Sequence, residues 1–240
     1  RGAQGMLEFL TMDGRPTAAW VYIVGYKLLG FAPLNWHVLS LTLRLVTVIL
    51  TWFALKTLWP KRTRGNLIAI LFFLLYPFFV LQPQAVTYAE HWTSFAFFSL
   101  SILLMLKAIE QPKRYLLYTA PAVLSTALHL FTVEYFVGLE LLRPFMVWMM
   151  LTKTEADRKT LLRRVLLTWM PYLLILLLFL FWRGVVLSNF GLRNDPLDLF
   201  SAQAILNILQ NMGADFALVL VTAWFNLVQP SALELGTLRT

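Results

Sequence analysis

MDGRPTAAWVYIVGYKLLG, residues 12–30, decides how the chain is read. An acid and a base, Asp13 and Arg15, stand directly before an apolar run from Thr17 to Leu29. As a helix that run is about 20 Å long, against about 30 Å of bilayer hydrocarbon. It has the composition of a membrane segment but not the length to cross. Trp20, Tyr22 and Tyr26 are residues that favour the membrane–water boundary. Arg15 and Pro16 bound the run on one side, and Gly30 and Pro33 separate it from the next apolar stretch. The expectation is a helix lying along the outer membrane surface over residues 16–29, not across it.

The rest of the composition agrees. Of 240 residues, 59% are hydrophobic and 13% charged, against about 25% charged in a soluble domain. Mean hydropathy is +0.70, and there are nine Trp and nineteen Phe. These values predict an all-α polytopic membrane protein. The formal net charge of +8 does not imply nucleic acid, because no basic run is interleaved with aromatics. Lys and Arg collect in the cytoplasmic loops of membrane proteins. The absence of cysteine excludes disulfides, thiolate metal sites and Cys nucleophiles. The chain begins at Arg1 without a basic-then-apolar leader, and is read as a piece of a longer protein.

Seven stretches are long and apolar enough to span: 36–59, 65–82, 85–107, 115–132, 134–151, 165–187 and 214–230. A single helix over 115–150 would be about 54 Å long, so a tight hairpin is expected between His129 and Glu134. The loops 60–66, 107–114 and 152–164 hold eleven Lys and Arg, and the opposite side holds four: Arg1, Arg15, Lys27 and Arg193. The positive-inside rule places the first set in the cytoplasm. Residues 1–35 are then an extracytoplasmic loop with an interfacial helix, and 36–240 a transmembrane domain with an outer-surface segment at 188–213. Within that segment, 199–212 alternates apolar and amide residues as a surface helix would, ended by Gly213. The alternative is a continuous inserted helix from 204 to 228.

Phosphate-binding Gly-rich loops, His-x-x-x-His pairs and G-x-S-x-G elbows are absent. His37, His91 and His129 are far apart in sequence and more often satisfy neighbours than ligate a metal. No metal site is legible, and the cofactor is left open, a divalent ion included. Arg44 lies about two turns inside its span, where an uncompensated charge costs at least a few kcal/mol, and calls for an acid, a cavity or a phosphate. Glu140 and Arg143, three apart on one helix face, are expected to pair structurally. Arg183 is read as snorkelling to headgroups. The acids Glu8, Asp13, Glu90, Glu134, Asp195, Asp198 and Asp215 all fall outside or at the outer interface. They are either ordinary loop acids or the lining of one polar outer cavity.

Residues 30–37, GFAPLNWH, have the pattern G-x-x-P-x-x-x-H and follow Arg15-Pro16 and a short aromatic helix. Pro77 stands in LLYPFFVLQP (74–83) and Glu134 in LHLFTVEYF (128–136). In order and spacing this resembles the membrane domains of GT-C superfamily glycosyltransferases, most nearly the protein O-mannosyltransferase type and its bacterial homologues. The likeness covers most of residues 10–150. It departs from the family at Ser40 and Arg44, where Asn and His are common, and at Val133, where Lys is common.

The resemblance implies transfer of a sugar from a polyprenyl-phosphate carrier to a glycan, protein or lipid acceptor on the extracytoplasmic side, in a bacterial cytoplasmic membrane. The family's principal catalytic Asp lies at the end of its first transmembrane helix, upstream of this chain, which leaves Asp13 as a secondary loop acid. Arg15, Arg44 and Arg193 are the candidate cations for the leaving phosphate. His37, Glu90, His91 and Glu134 are the candidate substrate-binding residues. Partners would be membrane lipid and the lipid-linked sugar, not nucleic acid. The alternatives are a transporter or flippase, which calls for an internal repeat or broken spans, and a noncatalytic subunit of a membrane complex.

Overall fold

The computed structural model describes residues 2–12, 15–76, 84–153, 157–186, 210–213 and 216. Among them the secondary structure is helical throughout. Two compact units divide the chain: residues 1–74 with 84–192, and residues 75–83 with 193–240. The described part of the second unit includes an exposed helical stretch at 210–213; the rest of the expected 199–212 helix, the 214–230 span apart from Phe216, and Pro77 lie outside the described residues.

The described residues of the first unit form eight α-helices: α1 Gly2–Met12, α2 Ala19–Leu29, α3 Pro33–Leu58, α4 Thr63–Leu74, α5 Ala85–Glu110, α6 Tyr115–Thr132, α7 Leu142–Leu151 and α8 Arg158–Phe181. Short 3-10 turns open α2 at Pro16–Ala18 and α6 at Pro112–Arg114, each beginning with a proline, whose fixed φ suits a first helical turn. Asp157 starts α8, its carboxylate accepting from the Thr160 amide at 2.8 Å and the Lys159 amide at 3.4 Å.

Among the described residues, three helices are long and apolar enough to cross a membrane: Pro33–Leu58, Ala85–Glu110 and Arg158–Val186. α5 is the central one. Its most apolar window is 56% buried, against 22% in each of the other two. Buried small and hydroxyl residues let its neighbours approach. Ser99 meets Thr51 of α3 at 3.2 Å, and Ser94 and Ser101 donate to the carbonyls of His129 and Ala122 on α6. The outward faces of α3 and α8 are apolar, with Leu41, Ile49, Phe53, Leu167, Leu174 and Leu178 all exposed. Apolar surface on that scale suits lipid contact, not water. This is the build of a membrane protein. The other expected stretches do not supply a further helix long and apolar enough to cross among the described residues: 115–132 forms the helix α6, α4 covers residues 65–74 of the 65–82 stretch, and 134–151 divides into a 3-10 segment, Glu134–Leu141, and α7. The expected break between His129 and Glu134 falls at Val133, whose extended backbone separates α6 from that segment.

The opening stretch forms its own helix, distinct from α3. Gly30 ends α2 with φ +67°, a conformation that favours glycine. Pro33 then starts α3. Side chains of the first turn of α3 satisfy the end of α2: Asn35 Nδ2 donates to the Leu29 carbonyl at 2.7 Å, and Trp36 Nε1 to the Gly30 carbonyl at 3.0 Å. Trp36 is fully buried and packs back over Tyr26 and Tyr22, with ring centroids 4.8 and 6.3 Å apart. A helix running straight from α2 into α3 would separate residues 22 and 36 by about 21 Å, so the two are sharply bent. α2 reaches one end of the bundle: Tyr22 donates to the Thr87 carbonyl at 3.1 Å, and Trp20 Nε1 to Thr132 Oγ1 at 3.1 Å.

A Cβ at Gly25 would stand 3.0 Å from Trp36 Cζ3 and closer still to Cη2. Gly25→Leu is therefore expected to cost about 1–3 kcal/mol by overpacking and to lower the thermal midpoint. An unchanged midpoint would show that α2 does not rest on Trp36.

Candidate functional site

Arg15 closes the α1–α2 connection and is the centre of the only charged group that joins several elements at this end of the described bundle. Its Nη1 lies 3.4 Å from Glu90 Oε1 on α5, and its Nε 3.4 Å from Glu134 Oε1 at the start of the 3-10 segment. Its Nη2 donates to the Tyr135 hydroxyl, and its guanidinium lies over the Tyr135 ring, 4.7 Å from the centroid. A planar fork with five N–H donors can serve all of these partners at once, which an ammonium cannot. Glu134 is shared: Arg183 Nη2 donates to its Oε1 at 3.1 Å. The group therefore holds two guanidiniums and two carboxylates and is formally neutral.

Burial matters for Glu90, whose side chain is 4% exposed, and less for Glu134 at 24%. Burial opposes the charge on Arg15, but Glu134, Tyr135 and Glu90 outweigh it and hold the guanidinium pKa above its ordinary value. Tyr22 sits on the wall beside Glu90. Burial, and then the negative charge of Glu90, push its phenol well above the usual range, so it is a neutral donor.

Arg15, Tyr22 and Glu90 face a cavity of about 560 Å³ between α1, α2 and the start of α5. Gly2 and Gly5 leave room on the α1 side, and Met6, Phe9 and Leu10 make it apolar. An apolar hollow of this size with a few convergent polar groups is the usual form of a small-ligand site. Glu134 lies on the other side of Arg15. With Arg183, Thr17 and Trp182 it borders a void of about 10 Å³, room for roughly one water. The single acidic cavity that the sequence suggests is thus divided, with Arg15 bordering both parts.

The remaining expected site residues are placed as follows. Asp13 and Arg193 lie outside the described residues. His91 is next to Glu90, its Nδ1 3.8 Å from Oε1, and its ring makes tilted contacts with Tyr88 and Tyr135, with centroids 4.8 and 5.3 Å apart. It lines neither cavity. His37 is exposed on the second turn of α3 and is not drawn into the group. Arg44 faces inward. It donates to the carbonyl of Leu74, the last residue of α4, and lies 5.6 Å from the Trp92 ring centroid. A cation at the carbonyl end of a helix is well placed electrostatically.

Arg183 corrects the snorkelling expectation: it turns inward to Glu134. It stands on a π-helical turn, Trp182–Val186, that ends α8. Tyr22 and Tyr135 are the other residues that sequence reasoning did not assign to the site; the only signal for Tyr135 is its place directly after Glu134.

A second polar group is fully buried. Glu140 Oε1 meets His129 Nε2 at 2.8 Å and accepts from Arg143 Nη2 at 2.8 Å, while Arg143 Nε donates to Oε2. Arg143 Nη2 also donates to Thr126 at 3.1 Å, and its guanidinium lies 4.7 Å from the Tyr172 ring centroid. The expected Glu140–Arg143 pair is present, with His129 as a third member. Among the described residues, no three His, Asp or Glu converge as metal ligands would.

Neither a family model, nor a curated protein, nor a solved structure matches the chain.

Proposed function

We propose that the chain is a membrane glycosyltransferase domain of GT-C type that takes a sugar from a polyprenyl-phosphate carrier at the extracytoplasmic face. One observation carries the reading: an Arg held between two carboxylates beside an apolar cavity, where a short non-spanning helix folds back on the end of a membrane bundle. A lipid phosphate asks for this combination. The apolar wall takes the tail and the guanidinium meets the phosphate in competition with Glu134. Sugar transfer further requires a carboxylate to take the proton of an acceptor hydroxyl as it attacks the anomeric carbon. Glu90, on the cavity wall, is the carboxylate in place for that. Arg15, with Arg183 behind Glu134, steadies the charge that develops on the departing phosphate. Release of polyprenyl phosphate from a polyprenyl-phosphate hexose by the purified protein, supplied with a membrane acceptor fraction, tests the reading. Bound but unconsumed donor would favour a flippase.

The accompanying topology has seven spans, with the basic loops 60–66, 107–114 and 152–164 in the cytoplasm. The eleven-to-four charge split supports it. Phe31 and Arg158 are both exposed, and the chain has no cysteine of its own. Phe31→Cys is expected to react with an impermeant thiol reagent on intact cells, and Arg158→Cys only after permeabilisation. The reverse pattern would place the cavity on the cytoplasmic side and end the proposal.

A further inference from the structure

The buried His129–Glu140–Arg143 group takes no part in the chemistry proposed above. It nevertheless shares a structural element with the Arg15 group. Glu134, Tyr135 and Glu140 all lie on the 3-10 segment Glu134–Leu141. We infer that Glu140, clamped by His129 and Arg143, is a positioning residue for the Arg15 group, because it fixes the winding of the segment that presents Glu134 and Tyr135.

Eight residues is an uncommon length for a 3-10 helix, whose runs seldom exceed three or four. Contacts outside the segment must hold it against the α form: ionic ones at its two ends and apolar ones between them, where Phe136 stacks on Phe95 of α5 at 5.0 Å and Val137 and Leu139 pack on the core. Three residues per turn set positions 134, 137 and 140 in one line. Rewound as an extension of α7, the segment would shorten by roughly 4 Å, and Glu134 would turn by about 120° relative to Glu140. Glu134 would then leave both Arg15 and Arg183. A Cβ at Gly138, between the two ends, would meet nothing within 4 Å, so no packing at that position fixes the winding.

The Glu140 end is anchored to the bundle core. Arg143 reaches Thr126 of α6 at 3.1 Å, and Thr126 lies 2.8 Å from Ser101 of α5. His129, Glu140 and Arg143 are each 0% exposed. The Glu134 end is more exposed and is held by two guanidiniums at the cavity side. The segment is therefore strung between a deep clamp and a solvent-side clamp, and the deep one supplies the frame of reference.

The inference rests on the proposed site only in taking Glu134 and Arg15 as its working residues, and its test needs no turnover. Replacing both members of a buried ion pair with apolar residues of similar volume is often neutral for stability. Hydrogen exchange is read on protein in lipid nanodiscs carrying Glu140→Leu with Arg143→Met. The amides of 134–137 are expected to exchange about tenfold faster or more, as loss of charged hydrogen bonds implies. The melting temperature and the exchange of α5 around Ser101 should be unchanged. A purely structural role would move the melting temperature and leave 134–137 no more open than the rest. Glu134→Gln is expected to loosen 134–137 while residues 139–143 stay protected. Should the double variant fail to fold, Glu140→Gln keeps the shape and drops the charge, and is expected to speed exchange at 134–137 in the same direction. Unchanged exchange over 134–137 in a folded Glu140 variant would overturn the inference, whether or not the protein transfers sugar.

Discussion

Arg143→Ala is expected to cost about 3–5 kcal/mol, a large share of the roughly 5–15 kcal/mol of an ordinary domain. The guanidinium is 0% exposed and makes two bonds to the Glu140 carboxylate. Its removal leaves Glu140 charged, fully buried and with His129 as its only remaining described partner. It also empties the space between Phe98 and Tyr172, whose ring centroids lie 5.6 and 4.7 Å from the guanidinium carbon. The variant should express poorly or melt far below the parent. Arg143→Lys should recover only part of the loss, because an ammonium cannot reproduce the fork on Glu140. A melting temperature unchanged by Arg143→Ala would mean that the buried group does not hold α7 to α6.

Arg15→Ala is expected to lower release of polyprenyl phosphate by about 10²–10³-fold, the usual loss when one preorganised donor to a developing negative charge is removed. Arg15 is the cation that borders both cavities and touches both carboxylates. Its removal also deprives Glu90, 4% exposed, of its nearest described guanidinium. Donor binding in Glu90→Gln separates the two effects: relief of that buried charge alone should leave binding of the lipid-linked donor close to that of the parent, whereas Arg15→Ala should weaken it. Turnover of Arg15→Ala equal to the parent would remove Arg15 from the site.

The fold was legible where backbone chemistry speaks. The length of Thr17–Leu29, Gly30 and Pro33 point to a short helix parted from a span, and α2, the +67° turn and α3 follow. The Arg15, Glu90 and Glu134 gathering was legible as polar residues at one side of the spans. The 3-10 winding of 134–141 was not, because a stretch of eight residues, two of them acids and the rest mostly apolar, fits a period of 3.0 about as well as 3.6. Arg183 was misjudged because position along a helix does not reveal azimuth. The π-helical turn at 182–186, which sequence periodicity does not announce, precedes any view of where it points. His129 joined Glu140 only through the approach of α6 to the 3-10 segment, a tertiary fact eleven residues long in sequence. The division of the cavity by Arg15 likewise depends on a side chain reaching from residue 15 to residues 90 and 134.

The central claim is that the Arg15 end of the bundle receives a phosphate carried on a lipid tail. Binding of a short-chain polyprenyl phosphate and of the matching polyprenol, measured side by side on nanodisc-embedded protein by native mass spectrometry, tests it most directly. The account predicts saturable binding of the phosphate, at least about tenfold tighter than the alcohol, as a charge-assisted guanidinium–phosphate contact implies, with the difference abolished by Arg15→Ala. Equal binding of the two lipids, or a preference for the phosphate that survives Arg15→Ala, would contradict it.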